Sequence, residues 1–313
     1  MATFDATTLQ LCGDLRRTGI EPTRALDPTG AASYVSVGHG VCMPATRWHG
    51  MDDRDRHRAL VHAHALGDRA DERPVFAHES AAALWGLPLL NAWPEQVHTV
   101  VPARSRRKSS TRVRRHHTTR LGAVERDGLQ VTPAARTVVD VARTTDLAAG
   151  LVCADAALRR SLCSRQDLEA EVAALPPRLR GRRVAKLVVA LADPLSESAG
   201  ESLSRAQMFL LRLPRPHLQV EYADADGFIG RTDFGWDGLV GEFDGKVKYR
   251  VDGLDGKAAA EVLWREKRRE DRLRRQVRGV ARWVWCDARD RARLLTVLTA
   301  AGLRQEARST WLD

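Results

Sequence analysis

The residues best suited to chemistry lie between Phe228 and Tyr249, in the run F-I-G-R-T-D-F-G-W-D-G-L-V-G-E-F-D-G-K-V-K-Y. Apolar and polar residues alternate on both sides of Asp237-Gly238, a dipeptide that favours the primed two-residue turn of a β-hairpin. A hairpin symmetric about that turn sets Trp236 against Leu239, Asp233 against Glu242 and Arg231 against Asp244. Opposed residues share one face, so Asp233, Glu242, Asp244 and Lys246 project together. Phe234, Trp236, Leu239, Phe243 and Val247 take the other face, the one a core would cover. Two carboxylates roughly 5 Å apart at Cβ repel each other. The simplest reason to place them so is a divalent cation, which wants clustered carboxylate oxygens. A one-residue bulge would send one strand's carboxylates to the opposite face.

Helices and strands on either side must hold this hairpin. Ser198 to Leu213 is helical, Leu218 to Tyr222 is a strand, and the two hairpin strands come next. A long charged helix from about Lys257 to Val277 leads to a strand, Val280 to Cys286, and a last helix, Asp290 to Ala301. Further upstream, residues 51–192 mix helices and strands. Arg54 to Leu66 is helical, V-F-A-H-E-S-A-A-A-L-W-G-L-P runs from a strand into a helix ending at Gly86, and Gln96 to Val101 and Thr111 to His116 are strands. Thr132-Pro133 gives an N-cap with proline at the first helical position, and further helices are expected at Leu147 to Arg160 and Ser164 to Ala174. Pro176-Pro177, R-L-R-G-R-R and Asp193-Pro194 mark a linker. Residues 1–50 carry a helical stretch, a turn at Gly19 to Pro22, a short helical stretch and Y-V-S-V-G-H-G-V-C-M-P, a small hairpin. Helices before such a wing suggest a winged helix-turn-helix, and a small helical cap on the next domain fits the pattern equally. The expected fold class is α/β (α+β), in three domains: 1–50, 51–192 and 193–313.

The 313 residues carry 50 basic side chains, mostly arginine, against 40 acidic ones, a net charge of +10. That balance favours a polyanionic partner, nucleic acid before membrane, because no apolar run approaches bilayer length. An arginine-rich proteome would produce the same excess. The basic residues concentrate in A-R-S-R-R-K-S-S-T-R-V-R-R-H-H, with no acid from Arg104 to Arg120. Arg104, Arg106, Arg107, Lys108, Arg112, Arg114 and Arg115 are the candidates there for contacts to a phosphate backbone. Five cysteines without a C-x-x-C pair argue against a disulfide framework and a zinc knuckle. The first residues, M-A-T-F-D-A-T-T-L-Q, have neither a basic nor an apolar leader region, so the expected location is cytoplasmic. His78 reads as a cap or packing histidine, and His116-His117 and His62/His64 lack the spacing of a metal site.

The run R-T-D-F-G-W-D-G-L-V-G-E-F-D-G-K, followed by E-K-R-R-E-D-R-L-R and a strand, resembles the PD-(D/E)XK nuclease superfamily. More narrowly it is similar to the small endonuclease-like domains related to very-short-patch repair enzymes, common in actinobacterial genomes. The resemblance spans roughly Ser198 to Ala301 and implies a restriction-endonuclease-like αβββαβ core. It also implies magnesium (or manganese) held by Asp233 and Glu242, with Asp244 as a further ligand, and hydrolysis of DNA phosphodiester bonds in defence or repair. The family's lysine two residues after the second acid is Asp244 here, and Asp244-Gly245-Lys246 offers a second D-x-K parse that restores it. The histidine of the repair enzymes has no counterpart, and Lys248 stands near its place. Glu201 is a further candidate, because the family's first helix can supply an acid, although Ser198-Ala-Gly-Glu201 also matches a capping box. Lys267, Arg268 and Arg272 on the charged helix would line a phosphate path. On most helices such residues form a solvated face.

Y-V-S-V-G-H-G-V-C-M-P, H-E-S-A-A-A-L-W-G-L-P and D-G-L-Q-V-T-P-A-A-R-T-V-V-D-V-A resemble the AbiEi-type antitoxins and their winged-helix relatives. That likeness implies duplex DNA binding and a toxin protein as partner. It also supplies the alternative to an enzyme: a non-catalytic transcriptional regulator or antitoxin with a degenerate nuclease fold.

Overall fold

A computed structural model describes residues 3–27, 29–67, 73–245 and 256–313, the last stretch without the side chains of 256–263, 265 and 266. The fold is α+β, and the chain divides into two compact units: residues 1–145 with 162–182, and residues 146–161 with 183–313. These units do not follow the expected boundaries at 50 and 192. Among the described residues no helix is long and apolar enough to cross a membrane.

In the first unit a 3₁₀ turn (Ala6–Thr8) precedes β1 (Gln10–Leu11) and α1 (Cys12–Arg17). β2 (Tyr34–Gly38) and β3 (Val41–Pro44) form the expected small hairpin, which β1 extends to a sheet of order β1-β3-β2. Among the described residues no second helix stands between α1 and β2, so the helix-turn-helix expected there is not formed. Asp27 instead organises a turn, its carboxylate accepting from the amides of Thr29 and Ala31. After α2 (Ala45–Gly50), α3 (Asp53–Gly67) packs Ala59 and Ala63 against Phe4, Val37, Val41 and Met43. Residues 1–50 therefore share a core with α3, across the boundary expected at 50.

The rest of this unit is a five-stranded sheet of order β6-β5-β4-β8-β7 with helices packed on it. Its strands are β4 (Val75–Phe76), β5 (Val97–Pro102), β6 (Val113–Thr118), β7 (Val124–Arg126) and β8 (Leu129–Val131), with α4 (His78–Trp85) between β4 and β5. Asp127 and Gly128, both at positive φ, make a primed turn between β7 and β8. α5 (Ala134–Thr144) begins one residue later than the Thr132-Pro133 reading. Pro133 is its cap residue, and the Thr132 hydroxyl pairs with that of Thr137 at 2.8 Å.

α6 (Leu147–Arg159) belongs to the second unit and α7 (Arg165–Ala173) to the first. The stretch read as a linker contains α8 (Arg182–Leu191), which buries Ala185, Val188 and Val189. α9 (Ala199–Leu210), β9 (His217–Asp224), β10 (Gly227–Trp236), β11 (Leu239–Phe243), α10 (Gly256–Gln276), β12 (Gly279–Trp283), α11 (Trp285–Arg289) and α12 (Arg291–Ala300) complete the chain. The four strands form one sheet of order β12-β11-β10-β9. β9, β10 and β11 are antiparallel neighbours and β12 runs parallel to β11. Beneath it, Ile229, Val240 and Leu273 form a core. Arg205 of α9 donates to Asp155 of α6 at 2.7 Å, an ion pair buried on both sides.

Candidate functional site

The hairpin has the expected register over three pairs, Trp236↔Leu239, Gly235↔Val240 and Phe234↔Gly241. Its turn differs. Only Gly238 takes positive φ (+67°), so the turn is not of the primed type. Arg278 closes it from outside, its amide donating to the Gly238 carbonyl at 2.7 Å and its side chain to the Asp237 carbonyl at 2.7 Å. Beyond Phe234↔Gly241 the ladder stops. The Phe243 amide, which a continued ladder would give to the backbone of β10, donates to Asp233 Oδ2 at 2.7 Å. Arg231 accordingly does not face Asp244. It pairs across β9 with Glu221, and its side chain reaches Glu197 at 2.8 Å.

Asp233 is the electrostatic centre of the acidic group. Burial, then the nearby Glu201, push its carboxyl up to about 7, opposed by the Phe243 amide and helped by Glu242 and Glu197. Glu201 stands at the first turn of α9, where the Ser198 hydroxyl accepts from its amide and donates to its carboxylate at 2.7 Å. Its other oxygen accepts from the Glu197 amide (2.8 Å) and from Gln219 (3.0 Å). Ser198 therefore caps the helix, but the reciprocal half of the expected capping box is not formed, since the Glu201 carboxylate takes the Glu197 amide, not that of Ser198. That carboxylate stays close enough to act on Asp233. Burial raises its own pKa too. Gly200 makes this approach feasible, because a Cβ there would overlap the Phe243 ring.

Glu242 is held differently. Arg269 donates to one carboxylate oxygen at 2.9 Å and Arg282 to the other at 2.7 Å, and Arg282 also binds Glu270 at 2.9 Å. Asp244 is exposed, and its amide donates to the Trp283 carbonyl at 2.9 Å. Lys246 and Lys248 lie outside the described residues. Among the described residues no three of these acids bring one oxygen each within 4.8 Å of one another. By donor type the set still fits a hard divalent ion: besides its own burial, the groups acting on half-buried Asp233 are carboxylates and one amide.

Of the basic candidates, Arg104, Arg107 and Arg115 line a pocket of about 540 Å³ together with Arg73 and His64, over a floor of Val75, Val100 and Leu121. Arg106, Lys108, Arg112 and Arg114 are further basic residues of the same segment. Lys267 and Arg268 are exposed on α10, with the Arg268 guanidinium 4.9 Å from the Trp264 ring centre. Arg272 is not available for a phosphate path. It grips the Asp224 carboxylate with two nitrogens and donates to the Gly227 carbonyl at 2.9 Å, joining α10 to the β9–β10 turn.

Sequence reasoning missed a second cluster, in the first unit. His78, His98 and His116 each place one ring nitrogen within 4.8 Å of the others. Parallel β5 and β6 pair Val100 with His116 and His98 with Arg114, which puts His98 and His116 on one face of the sheet. The His78 ring stacks on that of His116, centres 3.7 Å apart. His78 opens α4 at a positive φ of 52°. The signal in the sequence was the alternation V-H-T-V-V beside V-R-R-H-H: it fixes which histidines share a face once the strands are known to be neighbours.

No family model matches the chain. It is similar to two uncharacterised proteins of Mycobacterium tuberculosis, Rv2248 of strain H37Rv and MT2308 of strain CDC 1551. Each is 35% identical over 161 residues, which cover 50% of this chain and 56% of the relative. The chain thus spans about half the length of the curated relatives it matches.

Proposed function

We propose that the chain is a cytoplasmic DNA-binding protein whose C-terminal unit is a magnesium-dependent (or manganese-dependent) endonuclease of the PD-(D/E)XK type. The observation that carries this reading is Asp233: a half-buried carboxylate at the end of a hairpin ladder, raised by its burial and then by Glu201 and Glu242, on a sheet built in the order αβββαβ. Asp233 and Glu201 would hold the ion, with Glu242 as the third ligand, and a bound divalent cation supplies an acidified water and charge neutralisation at phosphate. The protein's own part is positional. The Phe243 amide fixes Asp233, the Ser198 cap fixes Glu201, and Arg269 and Arg282 hold the two oxygens of Glu242 in place. Guanidinium groups bind phosphate as readily as carboxylate, so a DNA phosphate entering the site would draw Arg269 and Arg282 off Glu242. The arginine-lined pocket and its basic neighbours supply salt-sensitive affinity for the duplex backbone.

One observation favours the second reading, a non-catalytic regulator or antitoxin that opposes a toxin protein: both oxygens of Glu242 already carry arginine partners. The two readings separate in one experiment. Purified protein is incubated with supercoiled plasmid in magnesium, manganese or chelator, and footprinted on its own promoter. Metal-dependent nicking supports the enzyme, and sharp footprinting without any cleavage supports the regulator.

A further inference from the structure

We propose that His78, His98 and His116 form a three-imidazole site for a borderline first-row divalent cation of the zinc type, with Glu79 as the carboxylate behind His98. The proposal is independent of the nuclease reading and concerns the other unit.

Three observations carry it. First, the rings come together in the interior, His78 and His98 buried and His116 half-buried. His78 is 1% and His98 7% exposed, and one nitrogen of each ring lies within 4.8 Å of those of the other two. Such nitrogens normally find a partner, yet His78 Nδ1 and His116 Nε2 have none.

Second, a carboxylate oxygen of Glu79 lies 2.8 Å from His98 Nδ1. The contact is close in distance but off the line of a regular hydrogen bond, since the same two atoms lack an aligned partner. Distance is what governs the electrostatics, and a carboxylate behind one ring nitrogen leaves the other as the lone pair that a metal takes.

Third, the cluster is held from behind. Arg136 and Arg143 bind buried Asp140 at 2.7 and 2.9 Å, and Arg143 also donates to His78 Nε2 at a longer 3.2 Å. The His57 ring, between the Pro94 carbonyl and Ser80, fixes the Ser80 hydroxyl, which accepts the His98 amide at 2.8 Å. The left-handed backbone of His78 (φ +52°) is of the kind that surrounding structure must enforce.

Imidazole donors without a thiolate suit zinc, cobalt, nickel and copper and are poor for magnesium. Tetrahedral ligation needs nitrogens about 3.4 Å apart. The stacked His78 and His116 rings must therefore tilt until their lone pairs converge, and Arg143 must give up its long contact with His78 while keeping Asp140.

The test is metal content and affinity of the full chain after chelation and dialysis. Zinc is titrated calorimetrically, cobalt is followed by its visible absorption, and far-UV circular dichroism checks the fold. Wild type should take up one zinc and show the intense bands of tetrahedral cobalt. His116→Ala should weaken zinc at least about 100-fold, and His49→Ala, at an exposed histidine outside the cluster, should leave it unchanged. Glu79→Gln, which keeps all three ligands, should weaken zinc about 10- to 100-fold and decides the matter if His116→Ala fails to fold. Absence of stoichiometric zinc in wild type, retention of wild-type affinity by folded His116→Ala, or unchanged affinity in Glu79→Gln would each overturn the proposal.

Discussion

Asp233→Asn should stabilise the metal-free protein at neutral pH, an unusual outcome for a change at a half-buried, hydrogen-bonded polar residue. The Asp233 carboxyl is raised from 3.8 to about 7 in the fold, so the native state holds a proton that the unfolded state releases. A group raised in this way contributes stability that is fully present below pH 4 and is lost as pH climbs through about 7. The whole interval converts to about 4 kcal/mol, and solvent screening of a side chain that is only half-buried reduces it to about 2 kcal/mol. Asparagine mimics the protonated acid and keeps an oxygen for the Phe243 amide. Urea unfolding in chelator should give equal midpoints for the two proteins at pH 4 and a variant more stable by about 2 kcal/mol at pH 8. Equal stability at pH 8, or a variant weaker there than wild type, would refute the picture of Asp233 as an uncompensated carboxylate.

Gly200→Ala should destabilise the C-terminal unit by about 1–3 kcal/mol, the range for overpacking, because the new methyl overlaps the Phe243 ring. Adding Phe243→Leu should recover much of that in a thermal melt. Glu79→Gln should lower the melting temperature at pH 7. Burial would raise Glu79, but the contact with His98 overrides it and brings the carboxyl to about 2. Its contribution is therefore present above pH 4.5 and fades as pH falls through 2, so the gap between the proteins should close in acid. Arg205→Ala strands Asp155 in the core of the second unit and should cost about 3–5 kcal/mol, measured as a loss of urea midpoint. Arg104→Gln with Arg107→Gln should reduce the salt slope of duplex binding by about 2 and weaken all sequences alike, read by fluorescence anisotropy at several salt concentrations.

The hairpin was legible because side-chain alternation admits one register on either side of Asp237-Gly238, and the three pairs at its base keep that register. Its turn was less so, since Arg278, distant in sequence, donates from outside to both central carbonyls, Asp237 and Gly238. Asp127-Gly128 has the same dipeptide and takes the primed form. Glu242 was recognisable as an acid on the right strand, but the arginines that hold it come from α10 and β12, and no local pattern joins Arg269 to Arg282. α8 was hidden by Pro176-Pro177 and the arginines before it, although Val184, Leu187, Val188 and Leu191 have helical spacing. The histidine cluster needs β5 and β6 to be parallel neighbours, and a sheet of order β6-β5-β4-β8-β7 cannot be read from alternation alone.

The most direct test of the nuclease proposal uses Asp233→Asn, because that variant should be at least as stable as wild type and a loss of activity in it cannot come from unfolding. The measurement is the rate at which supercoiled plasmid becomes nicked in magnesium. Wild type should nick, chelator should abolish the reaction, and Asp233→Asn should be slower by about two orders of magnitude or more. Nicking by Asp233→Asn at the wild-type rate would contradict the assignment.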